Sequence, residues 1–170
     1  MSEPLTLPIV VRQAKASDEI AIADFNAQMA LETEGKQLDR ERLAAGTRAV
    51  FESRERGFYV VAERAGAVVG SLLVTREWSD WRNGWFWWIQ SVYVVPSARR
   101  GGIYRAMYTW LEAQARDGSQ TGLSAPIVGL RLYVELENAA AMATYEALGM
   151  RRAHYQLYEL DFVLGEHPKS

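Results

Sequence analysis

The residues best suited to chemistry lie between Val94 and Tyr104, in the run Val-Val-Pro-Ser-Ala-Arg-Arg-Gly-Gly-Ile-Tyr. An apolar, β-branched run ends at Pro96, and a short basic loop with two glycines follows. Apolar residues then recur at Ile103, Met107, Trp110 and Leu111, the i, i+4, i+7, i+8 spacing of one helix face. The reading is strand, tight loop, helix. The amides at such a helix start lack intrahelical acceptors and sit at the positive end of the dipole, a natural seat for phosphate oxygens. Gly101 and Gly102 let main chain approach a ligand closely, and Arg99 and Arg100 add positive charge. Taken alone, the same pattern also fits an ordinary turn between a strand and a helix.

Two phosphate-binding motifs are excluded. There is no Gly-x-Gly-x-x-Gly, and no Lys-Ser/Thr follows the glycines, so neither a dinucleotide fingerprint nor a P-loop is present. What remains resembles the acetyl-CoA loop of the GCN5-related N-acetyltransferase (GNAT) superfamily, Gln/Arg-x-x-Gly-x-Gly/Ala after a Val-x-Pro strand end. Arg99, Gly102 and the exit Val94-Val95-Pro96 match it, while Tyr104 stands where the last Gly or Ala is usual. A second segment, Asn138-Ala139-Ala140-Ala141-Met142-Ala143-Thr144-Tyr145-Glu146-Ala147-Leu148-Gly149-Met150, resembles the family's Asn-x-x-Ala-x-x-x-Tyr-x-x-x-Gly-Phe, with Met150 in place of Phe.

The resemblance implies roles for these residues. Acetyl-CoA would be the co-substrate, with Val92, Tyr93, Val94, Arg99, Arg100, Gly101, Gly102, Ile103, Tyr104, Asn138 and Tyr145 at its site. Tyr145 would be the general acid that protonates the leaving thiolate; the residue also fits a core tyrosine on a capped amphipathic helix. Asn138 would bind the pantetheine arm or cap its helix. Val92 and Val94 would pair with pantetheine through main chain, and an N–H near Val92 would polarise the thioester carbonyl.

The acceptor amine must lose a proton before it attacks, because an alkylammonium with a pKa near 10 has no lone pair. Many relatives place a glutamate on the strand before the loop, where this chain has Gln90. Glu77 and Asp80 beside the aromatic hairpin, and Glu32 and Glu34 between the first helices, are the candidate bases. Proton loss through a water chain is the alternative.

Five of the six tryptophans, Trp78, Trp81, Trp85, Trp87 and Trp88, crowd one stretch with Phe86 among them. Strict alternation puts Phe86, Trp88, Gln90 and Val92 on one sheet face and Trp85, Trp87, Ile89 and Ser91 on the other. Two-sided burial explains such a run; so would an aromatic wall for a substrate cation or ring, or a dimer interface. Trp81, Trp88 and Gln90 are the candidate acceptor contacts, and acidic neighbours would suit a cationic amine.

The elements that must position these groups are readable in order. Ile9–Ala14 is a first strand, and Ser17 or Asp18 caps a helix carrying Ile20, Ala23, Ala27 and Leu31, which breaks at residues 32–36. A second helix runs from Asp39 to about Arg54. Phe58–Glu63 and Val68–Thr75 form a hairpin; a turn over Trp78–Gly84 with an Asn-Gly signal leads into Trp85–Val94. After the central helix come a polar loop over residues 117–126, the strand Val128–Val134, a helix capped by Asn138 and ended by Gly149, and a last strand over His154–Val163. The tail from Gly165 should fray.

This order mixes hairpins with two right-handed crossovers and predicts one mixed α/β sheet with helices on both faces. It is similar to the GNAT fold over residues 8–163: a single domain spanning 1–170, with a mostly antiparallel sheet of six or seven strands flanked by about four helices.

Composition bounds the rest. At 170 residues, 49% apolar and 24% charged, the chain has the make-up of one ordinary globular domain. It has no cysteine, and His154 and His167 are far apart, so thiol chemistry is excluded and no metal site is expected. A net charge of −2 argues against nucleic acid as partner. The N-terminus reads as no secretion signal and no run is long enough to span a membrane, so a cytoplasmic location is expected. The partner expected is a small-molecule or peptide amine acceptor, and the aromatic edge allows a homodimer. Three functions compete at this level: an acetyl-CoA-dependent N-acetyltransferase, a catalytically silent acyl-CoA sensor, and an interaction domain that uses the tryptophan hairpin.

Overall fold

The computed structural model describes residues 7–118 and 124–164. The N-terminal stretch read as lacking a signal, the tail from Gly165 and the centre of the 117–126 loop lie outside the described residues. The chain divides into two compact units, Met1–Tyr133 and Val134–Ser170.

The first unit is built on five strands in the spatial order of the sequence: β1 (Ile9–Gln13), β2 (Phe58–Arg64), β3 (Ala67–Ser79), β4 (Gly84–Val94) and β5 (Ile127–Leu132). Successive pairs from β1 to β4 are antiparallel, and β4 pairs with β5 in parallel across a crossover helix. Among the described residues three α-helices accompany the sheet: α1 (Glu19–Glu34), α2 (Arg40–Glu52) and the crossover helix α3 (Ile103–Asp117). Among the described residues no helix is long and apolar enough to cross a membrane.

The two sheet faces are covered differently. Ile22 of α1, with Val50 and Phe51 of α2, packs against Tyr59, Val61 and Leu73. On the other face α3 buries Ile103, Met107, Tyr108 and Leu111. A Cβ on Gly70 would stand 2.9 Å from Ile103 Cγ2, so the helix start lies almost on the β3 backbone.

Local signals explain the boundaries. Asp39 caps α2, its Oδ1 accepting from the amides of Glu41 and Arg42. Gly35, in the left-handed region at φ 63°, ends α1 at Glu34, later than the break expected from residue 32 onward. Asp18 stands before α1 without capping it by side chain, because its carboxylate accepts from Arg12 at 2.7 and 3.0 Å and from the Lys15 amide at 2.7 Å. The same guanidinium also binds Glu63, which ties β1, β2 and the entry to α1 together. β3 runs to Ser79, so the expected Trp78–Gly84 turn shrinks to Asp80–Asn83, with Asn83 at φ 48° before Gly84.

Among its described residues the second unit holds one helix, α4 (Ala139–Ala147), capped by Asn138 and followed by Gly149 at φ 87°. The expected last strand over His154–Val163 is absent, so the described sheet has five strands rather than six or seven. Tyr155, Tyr158 and Phe162 there are 82%, 88% and 90% exposed. Alternation alone does not make a strand without a neighbouring edge to complete its hydrogen bonds.

Candidate active site

β4 leads into the glycine loop. Val95 donates to Val69 O at 3.0 Å, and a 3-10 turn over Pro96–Ala98 follows. The chain reverses through Arg100 at φ 60° and Gly102 at φ 78°, and Gly102 O accepts the first α3 bond from the Ala106 amide at 2.9 Å. The first-turn amides of Ile103 and Arg105 have no acceptor within the helix. A Cβ added to Gly102 would meet no atom within 4 Å, so the space above it is open. Gly101 is different: Arg64 donates to its carbonyl at 2.8 Å, and a Cβ there would press on Arg64 Nη1. Ile103 is 2% exposed, so its amide rather than its side chain can serve a ligand, and Tyr104 is half-buried.

The strand itself opens at this end. β4 pairs with β5 from Trp85/Ile127 to Ile89/Leu132 and no further. From Gln90 to Val94 its pairing is with β3 alone. Within this stretch Ser91 takes φ 48° and the register slips, because three steps of β4 from Gln90 to Tyr93 oppose two steps of β3 from Leu73 to Ser71. This bulge overturns strict alternation. Tyr93, not Val92, joins the α1 face, its ring 5.3 Å from that of Phe25. The result is a β4 edge facing β5 with main-chain groups off the ladder, running into the loop.

The acidic candidates are already engaged. Glu32, at the end of α1, accepts from Arg99 Nη2 at 2.5 Å. The Tyr93 hydroxyl stands 3.0 Å from Glu32 Oε1 and 2.8 Å from Gln28 Oε1; its single proton goes to the carboxylate. The Arg99 bond holds the Glu32 carboxyl below the usual carboxylate range, and burial with the facing Glu32 pushes the Tyr93 phenol up. Arg99 also donates through Nε to Val94 O at 2.9 Å. Glu77 takes Trp88 Nε1 at 2.5 Å on one oxygen and Arg131 Nη1 at 2.6 Å on the other. Glu34 pairs with Lys36 at 3.0 Å. Asp80 accepts from the Trp81 amide at 2.9 Å in the exposed turn. Gln90 bonds Thr75 Oγ1 at 2.5 Å.

The tryptophans do not act as one patch. Trp87 is 3% exposed with an edge contact to Phe58, Trp78 and Trp85 pair edge-to-face at 5.0 Å, and Trp81 is 86% exposed at the turn. Trp88 lies against Tyr133 at 4.5 Å, and Phe86 packs where Gly129 has no Cβ. Over these rings sits Arg131, its Cζ 3.6 Å from the Phe86 centroid and 5.9 Å from that of Trp88. Sequence reading passed over Arg131. Its signal was a single charge inside the apolar strand Leu130-Arg131-Leu132, next to a strand rich in aromatics. Arg64, which holds Gly101, left no comparable mark.

In the second unit Asn138 Oδ1 accepts from the Ala141 amide at 3.0 Å, so its side chain caps α4. Tyr145 lies on that helix, half-buried, and burial pushes its phenol above the ordinary tyrosine value.

Comparison with known proteins gives the family. Residues 21–150 match the Acetyltransferase (GNAT) family, and the chain belongs to it. A possible acetyltransferase from Clostridium difficile 630 is 42% identical, with a TM-score of 0.79 over 91% of this chain and 98% of that one. Two more distant structures share the fold. The aminoglycoside N-acetyltransferase AAC(6')-Iy in complex with CoA is 13% identical, with a TM-score of 0.72 over 95% of this chain and 99% of that one. A ribosomal-protein-alanine N-acetyltransferase from Brucella melitensis biovar Abortus 2308 is 17% identical, with a TM-score of 0.71 over 91% and 99%. No protein of curated function matches the sequence.

Proposed function

We propose that this protein moves the acetyl group of acetyl-CoA to a primary amine by direct attack within a ternary complex. The observation that carries the reading is the edge of β4 from Gln90 to Val94, unpaired toward β5 and continuous with the glycine loop. Pantetheine completes that edge as a strand would, and the diphosphate takes the amides of residues 100–105 with the charges of Arg99 and Arg100 beside it. The thioester carbonyl then lies at the bulge, where an N–H near Val92 stabilises the developing oxyanion without rearrangement. The amine nitrogen bonds to the acetyl carbon, the carbon–sulfur bond breaks, and Tyr145 gives its proton to the departing thiolate. A phenol suits this role, because with an ordinary value of about 10 it stays protonated throughout the neutral range, and the partial burial of Tyr145 moves it further up.

Glu32 already faces Arg99, which holds its carboxyl below the usual carboxylate range, and both oxygens of Glu77 are taken by Trp88 and Arg131. Proton loss from the amine therefore runs through water to solvent rather than to a dedicated carboxylate. The single domain, the cytoplasmic location and the amine acceptor belong to the same reading. Thiol release from acetyl-CoA across a panel of amines tests it, with thermal stabilisation by acetyl-CoA as the binding readout. Binding without thiol release on any amine would make the chain an acyl-CoA sensor.

A further inference from the structure

We infer that the acceptor is an amine that also carries a carboxylate, and that Arg131 receives that carboxylate; this rests on the acetyl-transfer reading above. Phe86, Trp88 and Tyr133 form an aromatic floor beside the open end of β4. Such a floor invites a cation, but its seat is filled by the chain's own Arg131, 3.6 Å above Phe86. A polyamine would have to displace that guanidinium or lie against a like charge.

Arg131 is prepared for an anion. Its planar group is fixed by the ring beneath it and by one hydrogen bond to Glu77, which uses one of five N–H donors. Its side chain keeps 32% of its surface exposed, so the remaining donors can be reached. A stacked, pre-oriented guanidinium binds a carboxylate through two parallel bonds at little entropic cost. Glu77, 44% exposed at its side chain, tempers the charge and fixes the guanidinium's orientation. The site is placed for the reaction. Arg131 is in register with Trp88, and Gln90, at the start of the open edge, lies two residues, about 7 Å, further along the same face. An amine a few bonds from a carboxylate held at Arg131 spans that interval.

The test compares initial rates of thiol release from acetyl-CoA with α-, β- and γ-amino acids, their carboxamides and spermidine. The expected result is a kcat/KM about tenfold or more higher for the best acid than for its amide, carried by KM, with spermidine poorest. Arg131→Gln should bring the acid-to-amide ratio near one while amide turnover persists, and Arg131→Lys should leave an intermediate ratio. A purely structural arginine would instead lower all rates together. Where turnover is undetectable, thermal shifts of the CoA complex with the same compounds decide, and only the acids should stabilise it. Equal treatment of acids and amides, a preference for spermidine, or a ratio that survives in folded Arg131→Gln overturns the inference. If acetyl-CoA binds and acids are not preferred, the inference alone falls. If acetyl-CoA neither binds nor is consumed, the acetyl-transfer reading falls with it.

Discussion

Arg99, on the loop that leads into α3, donates to Glu32 at the end of α1 across 2.5 Å. The same guanidinium holds Val94 O, the last carbonyl of β4. One side chain thus joins the glycine loop, the open strand edge and the end of α1. In Glu32→Gln the charge opposing the diphosphate is removed while the hydrogen-bonding shape is kept. KM for acetyl-CoA should fall about two- to threefold, the size expected of one screened surface charge. Steady-state kinetics at low and high salt check this, and the effect should shrink with salt. The Glu32 carboxyl lies below the ordinary carboxylate range, so the pair stays ionised above that range and is lost only as pH falls through the lowered value.

Gly102 tests the proposed phosphate seat at the start of α3. Its φ of 78° costs an alanine about 1–2 kcal/mol, although the space around it is empty. Gly102→Ala should therefore be modestly less stable, and a methyl projecting into the open space should raise KM for acetyl-CoA about tenfold or more. Chemical denaturation and saturation kinetics on the same preparation separate the two effects. Unchanged KM would take the diphosphate away from this loop.

The Arg12–Asp18–Glu63 clamp predicts an acid-sensitive fold. Hydrogen bonds from Arg12 hold the Asp18 carboxyl below its ordinary value, and Asp18 is 6% exposed. Because the folded value is depressed, this stabilisation is complete above the ordinary carboxylate range and disappears as pH falls through the folded value. Asp18→Asn should cost about 2–3 kcal/mol at pH 7, the range for charged, largely buried hydrogen bonds, and almost nothing in strong acid. Urea denaturation at the two pH values measures the difference.

Tyr145 carries the acid role in the proposed mechanism. Tyr145→Phe should lower kcat about a hundredfold or more while KM for acetyl-CoA changes little. With no carboxylate base in the scheme, kcat/KM for the acceptor should climb with the free-amine fraction from pH 6 to 9, and decline only where the raised phenol ionises. A plateau that begins near pH 5 or 6 would instead reveal a carboxylate base.

What could be read from the chain alone follows from the range of each signal. The loop and α3 were legible because Gly101-Gly102 and the spacing from Ile103 to Leu111 are local. The cap at Asn138 and the left-handed Gly149 were legible for the same reason. The Ser91 bulge was not, because serine carries no mark of a positive φ, and one extra residue moved Tyr93 onto the α1 face. The partners of the acidic candidates were equally hidden: Arg99 is 67 positions from Glu32, and Arg131 is 54 from Glu77. Asp18 had the right type and place for a cap, but a guanidinium from β1 outcompeted the helix amides for its oxygens. His154–Val163 misled because alternation reports which side chains share a face, not whether an edge lies beside them.

Amide hydrogen exchange with and without acetyl-CoA bears most directly on where the cofactor lies. Slowed exchange is expected only in the open part of β4 around Val92 and at the amides of residues 100–105, with the exposed turn at Asp80–Asn83 unchanged. Protection elsewhere, with the amides between Ser91 and Arg105 exchanging as before, would contradict it.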